Sequence, residues 1–282
     1  MSKKKVLILN YKEHNGGIQR YISILKRLLS DEVDFIVMQQ WINPTDESMD
    51  KINIKFTSVF HSIRSLYVLI KTLKVQRIKV IHTHHRFSHL LAKILSFFLD
   101  IRVINSIHEF PKDKKWLYNF ILSSQVLVPS KVIGIFMICE FPKVKVNIVN
   151  HVSLFSNNLG RYYNGTISIG YIGRLEVDKG VNEFCEVVIK LQEYIKFKAF
   201  IVGSGSEEQN MKHKLAEEIK NGVVVFKEYS SEIESFYSEM DILLSLSKCE
   251  AFGFVLLEAM LSGTICITTD TGIACEIIDN EI

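Results

Sequence analysis

The chain has 282 residues, 48% hydrophobic and 23% charged, with four prolines. That composition is globular, long enough for two ordinary cores, and excludes a disordered or fibrous protein. Net charge is +3 from 34 basic and 31 acidic residues, too balanced to imply nucleic acid or another polyanion as an obligatory partner, which leaves charge to act locally.

The amino terminus, MSKKKVLILN, sets basic residues before an apolar run of only a strand's length, so it is not a signal peptide. Short β-branched runs then alternate with helical patterns. Strand KVLIL (5–9) leads to a helix over 18–29, strand VDFIVM, a helix near 62–75, strand KVIHTH and a helix near 87–98. Strand RVINSIH, a helix near 114–123 and strand QVLVP follow. The greasiest segment, HLLAKILSFFLDI (89–101), is too short to cross a bilayer, which needs about 20 apolar residues. Periodicity is lost over 154–166, where Asn, Gly and Tyr gather, and restarts at strand ISIGYIG (167–173). A helix from Val181, strand AFIVG, a helix from Glu207, strand VVVF, a short helix near 232–238, strand ILLSL, a helix from Phe254 and strand TICIT complete the reading.

The pattern predicts an α/β protein of two doubly wound, Rossmann-like domains, 1–153 and 167–282, joined by a linker over 154–166. Two such domains facing one another would hold a ligand in the cleft at their strand carboxyl ends. The second domain lacks the last strand and helix that would complete its sheet, so the chain is expected to be truncated. Cys139, Cys185, Cys249, Cys266 and Cys275 are odd in number and form no CxxC pair, which fits a reducing, cytoplasmic compartment.

The run from Phe254 to Leu261 contains one charge, Glu258. A buried carboxylate needs donors, and the adjacent hydroxyls of a ribose could supply two side by side. Pairing with Lys248 is the alternative. The preceding turn, Phe252-Gly253, opens the helix with free N–H groups and a positive dipole end suited to phosphate. In GYIGRLEVDKGV, Arg174 and Lys179 lie on the loop after a strand, where two cations suit a diphosphate, or are simply solvated. Gly203 and Gly205 in VGSGSEEQ, and Gly16 and Gly17 in HNGGIQRY, allow close backbone approach to a ligand, or form ordinary turns.

Taken in order, NGGIQRY, IHTHHRF, SIHE, YIGRLEVDKG, IVGSGSEEQ and EAFGFVLLEAMLSGTICITTDTGIACEII resemble the retaining glycosyltransferases of the GT-B fold often called family 4. The most specific element is Glu250 with Glu258, which matches the family's E, seven residues, E motif. The resemblance implies that Glu258 binds the donor ribose and that Glu250 lies near the transferred sugar. It implies that Arg174 and Lys179, with the Phe252 and Gly253 amides, neutralise the diphosphate. It places His108 beside the donor sugar and Gly17 near the diphosphate and acceptor. Leaving-group charge would then be met by preorganised cations and amides, with no metal or other cofactor. Attack would come from the leaving-group side, with the leaving phosphate helping to take the acceptor proton. This is unlike the two-carboxylate hydrolase scheme. Glu250 could equally be a loop carboxylate that holds backbone. In NIVNHVSL, His151 stands where the family has a glycine.

His82, His84, His85 and His89 crowd one strand end, and His85 and His89 have the spacing of helix neighbours. They are read either as a metal site or as a strand end entering a polar cleft, with His84 touching the acceptor. IRSLYVLIKTLKVQRIK puts Arg64, Lys71 and Lys74 on one side of a helix, either a solvated face or a contact with anionic lipid. The expected activity is transfer of a sugar from a UDP- or GDP-linked donor to a glycan or lipid-linked acceptor in bacterial surface polysaccharide synthesis. It would be carried out in the cytoplasm or on the inner membrane face. The rivals are a nucleotide-sugar epimerase and a noncatalytic nucleotide-sugar binding module.

Overall fold

A computed structural model describes residues 3–10, 16–39, 51–53, 59–154, 165–227 and 233–278. The chain divides into two compact units, Met1–Val152 and Ser153–Ile282. Most of the expected linker, 155–164, lies outside the described residues.

The first unit contains β1 (Lys4–Asn10), α1 (Gly17–Leu28), β2 (Val33–Gln39), β3 (Lys51–Asn53), α2 (Val59–Val75), β4 (Val80–Thr83) and α3 (Arg86–Phe98). It continues with β5 (Arg102–Ser106), α4 (Lys115–Ile121), β6 (Gln125–Val128), α5 (Lys131–Glu140) and β7 (Lys145–Ile148). Seven parallel strands are ordered β3-β2-β1-β4-β5-β6-β7. The centre of β1 is apolar without alternation because helices cover both faces of a parallel sheet, and Leu7, Ile8 and Leu9 are fully buried. Leu69 and Leu73 of α2 and Ala92 and Leu95 of α3 pack into the same core as Leu7, Leu9 and Ile81. The chain reverses direction across the sheet between β1 and β4, which makes their carboxyl ends the switch point.

The second unit contains β8 (Ile167–Ile172), a single 3-10 turn (Val177–Lys179), α6 (Val181–Leu191), β9 (Phe197–Val202), α7 (Glu208–Lys214), α8 (Ala216–Lys220) and β10 (Val224–Lys227). It ends with α9 (Ile233–Glu239), β11 (Ile242–Ser245), α10 (Phe254–Leu261), β12 (Ile265–Thr268) and α11 (Ala274–Ile277). Five parallel strands are ordered β10-β9-β8-β11-β12, with the switch point between β8 and β11.

Both units are Rossmann-like, as the periodicity implies. Three elements in the first unit escaped it. β3 is only three residues long. α5, KVIGIFMICE, is apolar on nearly every side and shows no helical stripe, although Ser130 caps it by accepting from the Ile133 amide at 3.5 Å. β7 takes Asn147 and Ile148 from the stretch read as an interdomain turn. The strand expected to run to His108 ends at Ser106.

Candidate functional site

At the second unit's switch point, the loop after β8 meets the loop after β11. Gly180 has φ +72°, and a Cβ there would lie 2.0 Å from the Leu246 carbonyl oxygen, so only glycine lets the loops approach. The Lys248 amide donates to the Asp178 carbonyl at 2.9 Å. This closure sets Lys179 Nζ 2.7 Å from Glu250 Oε1, with the side chains 14% and 25% exposed. Ser247 Oγ donates to the same oxygen at 3.0 Å. The negative charge of Glu250 acts second to burial in raising the pKa of Tyr171, whose hydroxyl donates to the Arg174 carbonyl at 2.7 Å. Arg174 itself is exposed and 4.0 Å from Asp178. The two expected cations therefore differ: Lys179 is half of a partly buried ion pair, and Arg174 is presented to solvent.

Gly203, after β9, also reaches this region. Its φ is +144°, and a Cβ would meet the Gly173 carbonyl oxygen at 1.9 Å. Gly253 is left-handed at φ +99° and caps α10, which no side chain caps. The Phe252 carbonyl is taken by the Ile273 amide at 2.7 Å.

Glu258 is fully buried, and the Tyr237 hydroxyl donates to its Oε2 at 2.9 Å. A neutral donor from α9 is thus one partner of the carboxylate. Lys248, the alternative partner, lies 2.8 Å from Glu183 instead. Tyr237 carried no signal in the sequence, because the two residues are 21 positions apart on separate helices.

In the first unit the switch point holds a histidine cluster. His82 Nε2 is 2.7 Å from Ser106 Oγ, His84 Nδ1 is 3.0 Å from His108 Nε2, and His108 Nδ1 is 3.3 Å from His151 Nε2. Both nitrogens of His108 thus face other imidazoles. Tyr21, one turn beyond Gly17 on α1, packs its ring 4.4 Å from that of His151 and 5.2 Å from that of His108. Burial lowers the pKa of His82 and of His151 to about 4 and that of His84 and His108 well below the usual range, so the cluster is neutral at pH 7.

His85 is the N-cap of α3, whereas His89 turns into the core, its Nδ1 2.7 Å from Thr83 Oγ1. Among the described residues no group of three His, Cys, Asp or Glu side chains could hold a metal ion. A surface cavity of about 590 Å³ lies at the opposite, amino end of the first sheet, lined by Lys5, Lys26, Asp34 and Lys71. It takes no part in either cluster.

Residues 161–282 match the family model of glycosyl transferases group 1. An uncharacterised 41.2 kDa protein in the cps region of Klebsiella pneumoniae is 27% identical over 252 residues, covering 78% of this chain and 68% of that protein. An uncharacterised glycosyltransferase of Methanocaldococcus jannaschii is 25% identical over 242 residues, covering 74% and 62%. The chain thus spans about two thirds of the curated relatives it matches. Among solved structures, Anabaena HepE in complex with UDP and glucose superposes with a TM-score of 0.81 at 15% identity, covering 99% of this chain and 84% of that one. The fold is GT-B, and the matches together support a glycosyltransferase.

Proposed function

We propose that the protein is a retaining glycosyltransferase of the family 4 type, moving a hexosyl group from a nucleotide sugar to a glycan or lipid-linked acceptor in surface polysaccharide synthesis. The observation that carries the reading is the Lys179–Glu250 pair at the second unit's switch point, inside the segment matching the group 1 model. A cation held there by a carboxylate is preorganised for a diphosphate, because its position does not have to be found at the moment charge develops. Arg174, with an exposed guanidinium on the same loop, adds a second cation.

The remaining roles follow the resemblance. The Phe252 and Gly253 amides assist at the phosphates, Gly203 gives backbone access, Gly17 opens the acceptor-side helix, and His108 lies beside the transferred sugar. With both ring nitrogens turned to histidines, His108 serves as a fixed wall of the sugar site, and the leaving phosphate takes the acceptor proton. Glu258 binds the ribose, which requires its carboxylate to exchange Tyr237 for the sugar hydroxyls. The chemistry needs no metal. The UDP bound to HepE makes a uridine donor the first to try.

The test is a thermal-shift screen against UDP- and GDP-sugars, followed by turnover of the best binder with and without chelator. A ligand at a hundred times its Kd stabilises by about 2.7 kcal/mol. Stabilisation with sugar release or transfer supports the reading. Binding without turnover would favour a noncatalytic module, and conversion of the donor sugar without release an epimerase.

A further inference from the structure

The first unit displays large apolar side chains that neither cluster uses. On α3, Phe97 and Phe98 are 62% and 80% exposed; on α4, Trp116 and Phe120 are 73% and 50% exposed; on α2, Ile63 and Tyr67 are 65% and 64% exposed. These helices share one side of the sheet. α2 and α3 pack into the same core, and the Phe97 ring lies 6.4 Å from that of Phe120, so α4 stands beside α3. Single exposed apolar side chains are ordinary, but a group of aromatics over three adjacent helices marks a contact surface.

We propose that this face, formed by α2, α3 and α4, seats the protein on the surface of an anionic bilayer. Charge selects the occupant. Residues 59–75, 86–98 and 109–120 hold eight basic and two acidic residues, so the rest of the chain, at +3 overall, is net acidic. A second copy docked through the same patch would press like charges together, whereas anionic headgroups complement them. The local arrangement suits an interface. The Lys93 ammonium sits 5.4 Å over the Phe97 ring, and that of Lys112 sits 5.6 Å over Phe110. Rings can thus enter the acyl boundary while the ammonium groups stay at the phosphates. Arg64, Lys71 and Lys74 are exposed on α2 among Ile63 and Tyr67, which joins that basic helix to the face. No helix among the described residues is long and apolar enough to cross a membrane, so these helices would lie on the bilayer.

The proposal does not depend on the glycosyltransferase reading, because its test needs no turnover. The full chain is sedimented with phosphatidylcholine vesicles and with vesicles that also contain phosphatidylglycerol. Binding is expected only with the anionic lipid, and about tenfold weaker after Phe98→Ser with Trp116→Ser. A similar loss is expected after Lys71→Gln with Lys114→Gln, and on raising the salt concentration. The charge variant decides the matter if the apolar one fails to fold. Equal binding to both vesicles, parental binding by the charge variant, or a dimer that these substitutions dissociate without any vesicle binding by the parent would overturn it.

Discussion

Lys179 and Glu250, 71 positions apart in the chain, form an ion pair at 2.7 Å that ties the loop after β8 to the loop after β11. The pair constrains what each residue can do for an anion. With its charge shared by Glu250, Lys179 binds a diphosphate less strongly than a bare ammonium would. Glu250→Gln should therefore tighten nucleoside diphosphate binding by about tenfold, near 1.4 kcal/mol, while slowing sugar transfer at least as much. Lys179→Met should weaken binding by a similar factor. Calorimetric titration with UDP and GDP distinguishes the signs. If both variants lose affinity alike, the pair acts only as a brace.

The buried Tyr237–Glu258 contact makes a separate expectation about stability. Tyr237→Phe removes a hydrogen bond donated to a fully buried carboxylate, at a cost of about 1–3 kcal/mol. The urea midpoint of the second unit should fall accordingly, with the slope of the transition unchanged. A parental midpoint would mean that another donor takes the place of the Tyr237 hydroxyl.

The order of elements was legible because a parallel sheet leaves short apolar runs between amphipathic helices, and the switch-point loops could be located from that order alone. Lys179 and Glu250 could each be named from the sequence, but not their pairing, since nothing linear reports a contact across 71 positions. The same applies to His151. Read as a departure from a glycine, it proves to be a ring packed in the histidine cluster beside Tyr21. Tyr237 and Ser247 were missed because an aromatic in a short helix and a serine in a loop are common everywhere. α5 was missed for the opposite reason, since a helix apolar on nearly all sides shows no period.

Gly203 offers a test of close backbone packing. Its positive φ is strained for any other residue, and an added Cβ would sit 1.9 Å from the Gly173 carbonyl oxygen. Gly203→Ala should cost more than about 1 kcal/mol. Gly16, at φ −167° with nothing within 4 Å of an added Cβ, should tolerate alanine with little change in stability. Thermal unfolding of the two variants side by side checks both. Equal losses would mean that conformation and crowding are not what fixes glycine at 203.

The histidine cluster makes the first unit sensitive to acid. The pKa of His82 and of His151 is lowered to about 4 and that of His89 to about 3, all by burial first, while His84 and His108 are lowered well below the usual value. Once unfolded, each would take up a proton near pH 6.5. Below that value the unfolded chain binds more protons than the folded one, so stability is fully present above pH 6.5 and falls as the pH drops toward 4. At pH 5 each group has cost about 2 kcal/mol, so His82, His89 and His151 together account for about 6 kcal/mol, comparable with the whole stability of a small domain. The depressed carboxylates, such as Asp113 beside Arg86, act in the same direction but at lower pH. Urea unfolding at pH 7, 6 and 5, followed through histidine ring resonances, should show a steep loss equivalent to more than two protons. His151→Phe should reduce that slope by about one proton. A stability that stays level between pH 7 and 5 would mean the imidazoles are hydrated, and the cluster would then not be the dry, neutral wall assigned to it.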